Sequence, residues 1–222
     1  GIPFAIYRLC ADTVAPLLHG IVVSLSKGFP PPAGFNHARL FLIPKNDSLD
    51  IEATRPISVT NSDNRIIAKT LTTAITPACQ SFLDPSQKGF VAGRQSEEHI
   101  LALNQAYYTA LTRKQQHYIL FLDTKKAFDS IHHEFILAVL DVLAMPQWFC
   151  FVVAGLLHSV QVFPVLASDT GVSIPILRGV KQGCPLSPLL FVMCYDVLLH
   201  KIDLAAPDPS PLTKHALADD LA

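Results

Sequence analysis

Three carboxylates in this chain could do chemistry. Asp123 ends the apolar run from Tyr118, and Asp219 and Asp220 stand side by side in Ala216-Leu217-Ala218-Asp219-Asp220-Leu221-Ala222. Carboxylate oxygens suit a hard divalent ion such as Mg²⁺, which usually takes one or two of them together with substrate phosphates. Asp123 is far from the other two in sequence, so only a fold that pairs the strand ending at Asp123 with a strand beside Asp219 makes them one site. Taken singly, an Asp at a strand end is more often a cap or a turn residue. Between them runs Gly179-Val180-Lys181-Gln182-Gly183-Cys184-Pro185-Leu186-Ser187-Pro188, a turn ahead of the long apolar run that starts at Leu189. Pro188 stands near the start of that run, where a missing N–H costs nothing. Lys181, Gln182 and Ser187 are polar groups that can face a ligand. On its own, a Gly/Pro turn before a core helix is a common structural device.

Order decides what single motifs do not. The stretch Phe121 to Ile131 (FLDTKKAFDSI), the turn Gly179 to Phe191 (GVKQGCPLSPLLF) and the terminal ALADDLA resemble motifs A, B and C of a reverse transcriptase of the non-LTR retrotransposon type. Upstream, Arg55-Pro56-Ile57-Ser58 and Gln87-Lys88-Gly89-Phe90-Val91-Ala92-Gly93-Arg94 resemble fingers motifs of the same branch. The resemblance runs from about residue 36 to the end. It implies an α+β right-hand polymerase with fingers and palm but no thumb. The parts are a helical extension over 1–35, fingers over 36–117 and palm over 118–222, with the chain revisiting the fingers between motifs A and B.

The resemblance also implies roles. Asp123 and Asp219 bind two Mg²⁺ ions, with Mn²⁺ as an alternative, and Asp220 lies beside them. Phe128 packs under the incoming sugar and excludes a 2′-hydroxyl; its plain reading is a core aromatic. Gln182 and Gly183 lie by the incoming nucleotide. Arg55 grips the triphosphate, a task suited to a bidentate guanidinium, and Lys45 joins it. Partners are an RNA template, a DNA primer and dNTPs. Leu217 departs from the family, which usually has Tyr or Phe there. Two other readings compete: a decayed, non-catalytic copy, and a viral RNA-dependent RNA polymerase. Against the second, Ala218 replaces the expected Gly before the Asp pair.

The elements that must position these residues follow from periodicity and punctuation. Asp12 reads as the N-cap of a helix closed by Gly28, and Phe29 to Gly34 as a linker. Strands are expected over 38–44, 57–60 and, as a buried strand, 118–123. Ser62 caps a helix ending before Pro77. Ser96, with Glu97 and Glu98, starts another. One helix runs from Asp129 or Ser130 to Ala144 and the next from Pro146 to His158. Strands over 160–166 and 172–176 flank the turn 168–171, with Pro164 and Pro175 favouring sheet edges. A long helix follows the glycine turn to about Leu204.

Composition bounds the rest. The 222 residues are 50% hydrophobic with a net charge of -1. Such a balance alone does not suggest nucleic acid, whose binders usually show a basic patch. The five cysteines are scattered without zinc-like spacing and read as reduced thiols of an intracellular protein, nuclear or cytoplasmic. The pair His132-His133 reads as solvated or capping. No segment has the length of a membrane span. The chain starts at Gly1 and stops two residues after the Asp pair, so both ends read as cut from a longer polypeptide. The strand returning from Asp220 is expected not to form, and the chain as it stands is not expected to polymerise. Oligomeric state is not legible.

Overall fold

The structure, a computed structural model, describes residues 2–45, 47, 50–114, 118–165, 172–206 and 212–221. Helix and sheet are mixed, and the chain forms two compact units that interleave in sequence. One holds residues 1–73 and 128–187, the other 74–127 and 188–222.

The first unit is built on a four-stranded sheet. Strands β1 (His37–Pro44) and β2 (Thr54–Thr60) form an antiparallel hairpin. Strand β3 (Gln161–Pro164) runs parallel to β1, and β4 (Ile174–Pro175) closes the order β2-β1-β3-β4. Only β4 takes the edge expected of both proline strands. In β3, Pro164 is the last residue, where the missing donor interrupts nothing. The turn expected at 168–171 lies outside the described residues.

Helices α1 (Phe4–Leu9) and α2 (Ala11–Ser26) open the chain. Asp12 does not cap α2. Cys10 does, its carbonyl accepting from the N–H groups of Thr13 and Val14, and Asp12 falls in the first turn, where its charge still suits the positive helix end. Helix α2 packs on α7 (Gln147–Leu157), whose Phe149, Val152 and Val153 are fully buried. Leu25 is buried at this contact. A Cβ on Gly155 would sit 2.7 Å from its Cδ2, so the glycine is what lets the two helices close. Beside it, the Asn36 amide donates to the carbonyls of Gly155 and His158, both at 2.7 Å, and accepts from Asn64 at 3.0 Å.

The helix expected over 129–144 is two: α5 (Ala127–Ser130) and α6 (His133–Val142). The break has a cause in the glycine turn. Val180 N–H takes the Phe128 carbonyl and Gly179 N–H takes that of Ile131, so these carbonyls are spent outside the helix. His132, the α6 N-cap, forms a bridge with Arg178 instead.

Helix α3 (Ser62–Phe82) runs straight through Pro77. An interior proline costs about 3 kcal/mol. The helix continues because Ile75, Cys79 and Leu83, spaced by one turn each, bury one apolar stripe in the second unit. Arg94 caps that end: its guanidinium donates to the carbonyls of Gln80, Leu83, Asp84 and Gln87.

The second unit centres on α8 (Ser187–Ala205), buried from Leu189 to Asp196. Buried Asp196 accepts from the Asp84 N–H at 2.8 Å, and Lys214 bridges Asp84 and Asp203, both at 2.6 Å. By contrast, α4 (Glu97–Arg113) has no buried residue and Ser96 makes no side-chain cap. The run 118–123 is not the buried strand its apolar residues suggest. Tyr118 is 90% exposed, and within this run only Leu122 forms a bridge. Apolarity sets a preference for burial, not the presence of a neighbour to provide it. No helix of the described residues is long and apolar enough to cross a membrane.

Candidate functional site

The terminal carboxylates lie on a small hairpin. Strands β5 (Ala216–Leu217) and β6 (Asp220–Leu221) pair antiparallel, Ala216 with Leu221 and Leu217 with Asp220. The returning strand, expected to be missing, therefore forms, though only two residues long. It is stabilised from its far side: Leu122 and Leu221 exchange two backbone hydrogen bonds, at 2.8 and 3.1 Å. Continued by one residue, that register sets Asp123 across from Asp220. This is how a fold joins carboxylates so distant in sequence.

The turn joining the strands is Ala218-Asp219. Ala218 has φ +58, a left-handed conformation usually given to glycine in a two-residue hairpin. The Asp219 carbonyl accepts the Tyr195 hydroxyl at 3.0 Å. On the other flank, Gln87 bridges to Ala216 in parallel, Lys88 N–H donates to the Ala216 carbonyl at 2.8 Å, and the His99 ring lies 3.0 Å from that same oxygen. Gly89 comes so close that a Cβ there would be 2.2 Å from Ala218 N.

Burial raises the pKa of the Asp219 carboxyl above the usual carboxylate value, and the charges of Asp220 and Asp123 push it the same way. Asp219 thus feels the charges of the other two. Among the described residues, no three His, Cys, Asp or Glu side chains close around one point as a finished ligand set. The donor chemistry nonetheless fits a divalent cation. All three groups are hard oxygen ligands, and the uncompensated negative charge at Asp219 is what a cation would neutralise.

The remaining predicted residues lie in the first unit, in two places. At the glycine turn, Gln182 donates its side-chain amide to Asp129 Oδ1 at 3.2 Å, while its carbonyl accepts the Ser58 N–H at 2.7 Å. Gly183 has φ +113, and a Cβ would meet the Ser58 carbonyl oxygen at 2.7 Å. Gly179 likewise leaves no room for a Cβ against Asp129, and His133 bonds its carbonyl at 2.9 Å. Phe128, half-buried, is tied in through its carbonyl to Val180. Arg55 and Lys45 sit further along the β1–β2 hairpin. Arg55 pairs with Ile43, Lys45 N–H donates to Ala53, and both side chains are exposed.

Sequence reasoning missed Gln87, Tyr195, Asp129 and Ser58 as the residues that hold the others. Gln87, Ser58 and Asp129 stood inside the quoted motifs and Tyr195 in the apolar run of α8, but their partners are remote in sequence, and no local pattern announces those contacts.

A family model described as reverse transcriptase (RNA-dependent DNA polymerase) matches residues 43–222. The chain belongs to the reverse transcriptase family. Its relatives are non-LTR retrotransposon proteins. The transposon TX1 uncharacterized 149 kDa protein of Xenopus laevis is 24% identical over 90% of this chain. The Pol polyproteins of the R2 elements of Nasonia vitripennis and Drosophila melanogaster are each 30% identical, over 77% and 86% of it. This reverse transcriptase chain spans only 15–18% of the length of those three proteins. Two solved telomerases share the fold. That of Candida albicans, in complex with a fragment of telomeric RNA, superposes with TM-score 0.56 at 14% identity, covering 93% of this chain and 40% of its own. That of Candida tropicalis gives 0.54 at 12%, covering 91% and 46%.

Proposed function

We propose that this chain carries the polymerising centre of a retroelement reverse transcriptase. It extends a DNA primer on an RNA template: the primer 3′-oxygen bonds to the α-phosphorus of a dNTP, and the bond to pyrophosphate breaks. One observation carries the reading. The Leu122–Leu221 bridge sets Asp123 beside the hairpin that bears Asp219 and Asp220. Asp123 and Asp219 would hold the divalent ions, with Asp220 next to them. Two such ions, when bound, lower the pKa of the attacking hydroxyl and hold the leaving oxygens. Mg²⁺ suits the all-oxygen set, and Mn²⁺ would serve in its place.

The chain's other residues bind and orient. Gln182, its amide aimed by Asp129, lies by the incoming nucleotide on a backbone that Gly183 brings against Ser58. Phe128 supports the sugar. Exposed Arg55, with Lys45 at the same end of the hairpin, offers a guanidinium fork to phosphate oxygens. In right-hand terms, residues 36–117 are fingers and 118–222 palm. These bounds follow motif order, whereas the compact units follow contacts, so the two partitions differ.

The test is Asp219→Asn in the natural polypeptide that contains this chain. The amide keeps the size and removes the charge. Primer extension on an RNA template should fall by several orders of magnitude. Near-wild-type extension would remove Asp219 from the metal site.

A further inference from the structure

We infer that Gln87 is a positioning residue for polymerisation: its side chain fixes Ala218 and thereby aims the Asp219 carboxylate. The inference rests on the reading of Asp219 as a metal-binding group. Gln87 is 0% exposed, and both ends of its amide are used. Its Oε1 accepts the N–H of Gly89 and the N–H of Ala218, both at 2.8 Å. Its Nε2 donates to the Ala218 carbonyl at 3.0 Å. One side chain therefore satisfies both backbone groups of the residue just before Asp219.

Those are the groups that need it. Ala218 is held with φ +58, which an L-residue with a Cβ resists. Its buried N–H and C=O would be costly unpaired. The main chain of residues 86–88 supplies ladder bonds only as far as Ala216: Ser86 carbonyl to Ala216 N–H, and Lys88 N–H to Ala216 carbonyl. Beyond that point the chain turns at Gly89, close against Ala218 but with no backbone bond to it, and the Gln87 side chain continues the ladder instead. The length and the paired donor and acceptor are specific to Gln. Met matches the length and supplies neither group. Glu supplies two acceptors, one of which would face the Ala218 carbonyl oxygen. Gly89 is the complementary requirement, since any Cβ would strike Ala218 N.

The experiment compares Q87M, Q87E and D219N with wild type in the natural polypeptide. Primer extension gives kcat and the dNTP KM, and electron paramagnetic resonance gives Mn²⁺ affinity without nucleic acid. D219N should be inactive. Q87M should lose about 100-fold in kcat, the scale of a misplaced reacting group, with KM unchanged within about twofold. Its Mn²⁺ binding should weaken about tenfold, as for other partners that orient a ligand. Q87E keeps the two bonds from N–H groups, so its loss should be smaller. Burial raises the pKa of its carboxyl, and protonation restores a donor toward Ala218. The ratio of Q87E to wild-type activity should therefore rise as pH falls from 8 to 6. His99, His215, Lys88 and the three Asp groups also surround the hairpin, so variant and wild type are assayed at every pH.

A role only in folding would leave kcat per folded molecule and Mn²⁺ affinity at the wild-type values in both variants. If Q87M does not fold, the same two readouts on folded Q87E decide. Wild-type kcat and Mn²⁺ affinity in either folded variant, beside an inactive D219N, overturn the clamp. An active D219N overturns the site reading beneath it.

Discussion

The α2–α7 contact and the carboxylate hairpin are opposite kinds of structure. At the first, Leu25 meets Gly155 in a close helix contact, and Phe149, Val152 and Val153 have no exposed surface. Every local choice there favours burial. At the second, two-residue strands carry adjacent acids, a non-glycine residue sits at positive φ, and Leu217 is 41% exposed. Nearly every local choice there costs free energy. On the proposed function, like charges stand crowded together for the ions to neutralise, and such a cluster does not stabilise a fold. That reading assigns stability and chemistry to different residues.

The comparison can be broken in three ways. The largest effect belongs to the packed side. Leu25→Ala should lower unfolding free energy by about 2–5 kcal/mol, the usual range for a buried leucine. Denaturant titration measures it, and kcat per folded molecule should stay at the wild-type value. A lost kcat in folded Leu25→Ala protein would show that the apolar contact also tunes the chemistry.

A smaller effect sharpens the middle ground, because Phe128 is half-buried at the glycine turn. Phe128→Ala should raise ribonucleotide incorporation relative to deoxynucleotide by about tenfold, within the range for one apolar group in a pocket. Soluble variant with unchanged sugar selectivity would make Phe128 a core residue only.

The smallest effect is the most direct. The Asp219 pKa is raised in the folded state, so between its ordinary and raised values the folded chain binds more protons than the unfolded one. Stability then falls as pH rises through that window. Asp219→Asn removes this cost. Without divalent ions, the variant should melt slightly above wild type at pH 7, and the gap should close as pH drops toward the usual carboxylate range. A variant that melts below wild type at pH 7 would mean the carboxylate stabilises the hairpin.

The same contrast explains what the sequence could say. The glycine turn was legible because Gly179 and Gly183 really occupy positive φ against Asp129 and Ser58. The carboxylates were legible from motif order, and α8 from its apolar length. Exposure of Tyr118 to Leu122 was not, since an apolar run specifies what it prefers and not what covers it. The passage of α3 through Pro77 depended on a buried stripe around Ile75 and Cys79 that only packing reveals. The short returning strand depended on Leu122, a partner remote in the chain.

The interleaving of the two units has a consequence for synthesis. Gln87 and Ala218 are 131 residues apart, and all of the 128–187 segment is made between them. At about 5–20 residues per second, Gln87 waits several seconds to tens of seconds for its partner. During that time Gln87 has no Ala218 to bond, and Asp84 has neither Asp196 nor Lys214. The growing chain therefore passes through a long interval in which the first unit's sheet can assemble while the second unit still lacks its C-terminal half, and the Gln87 amide waits for a residue that does not yet exist.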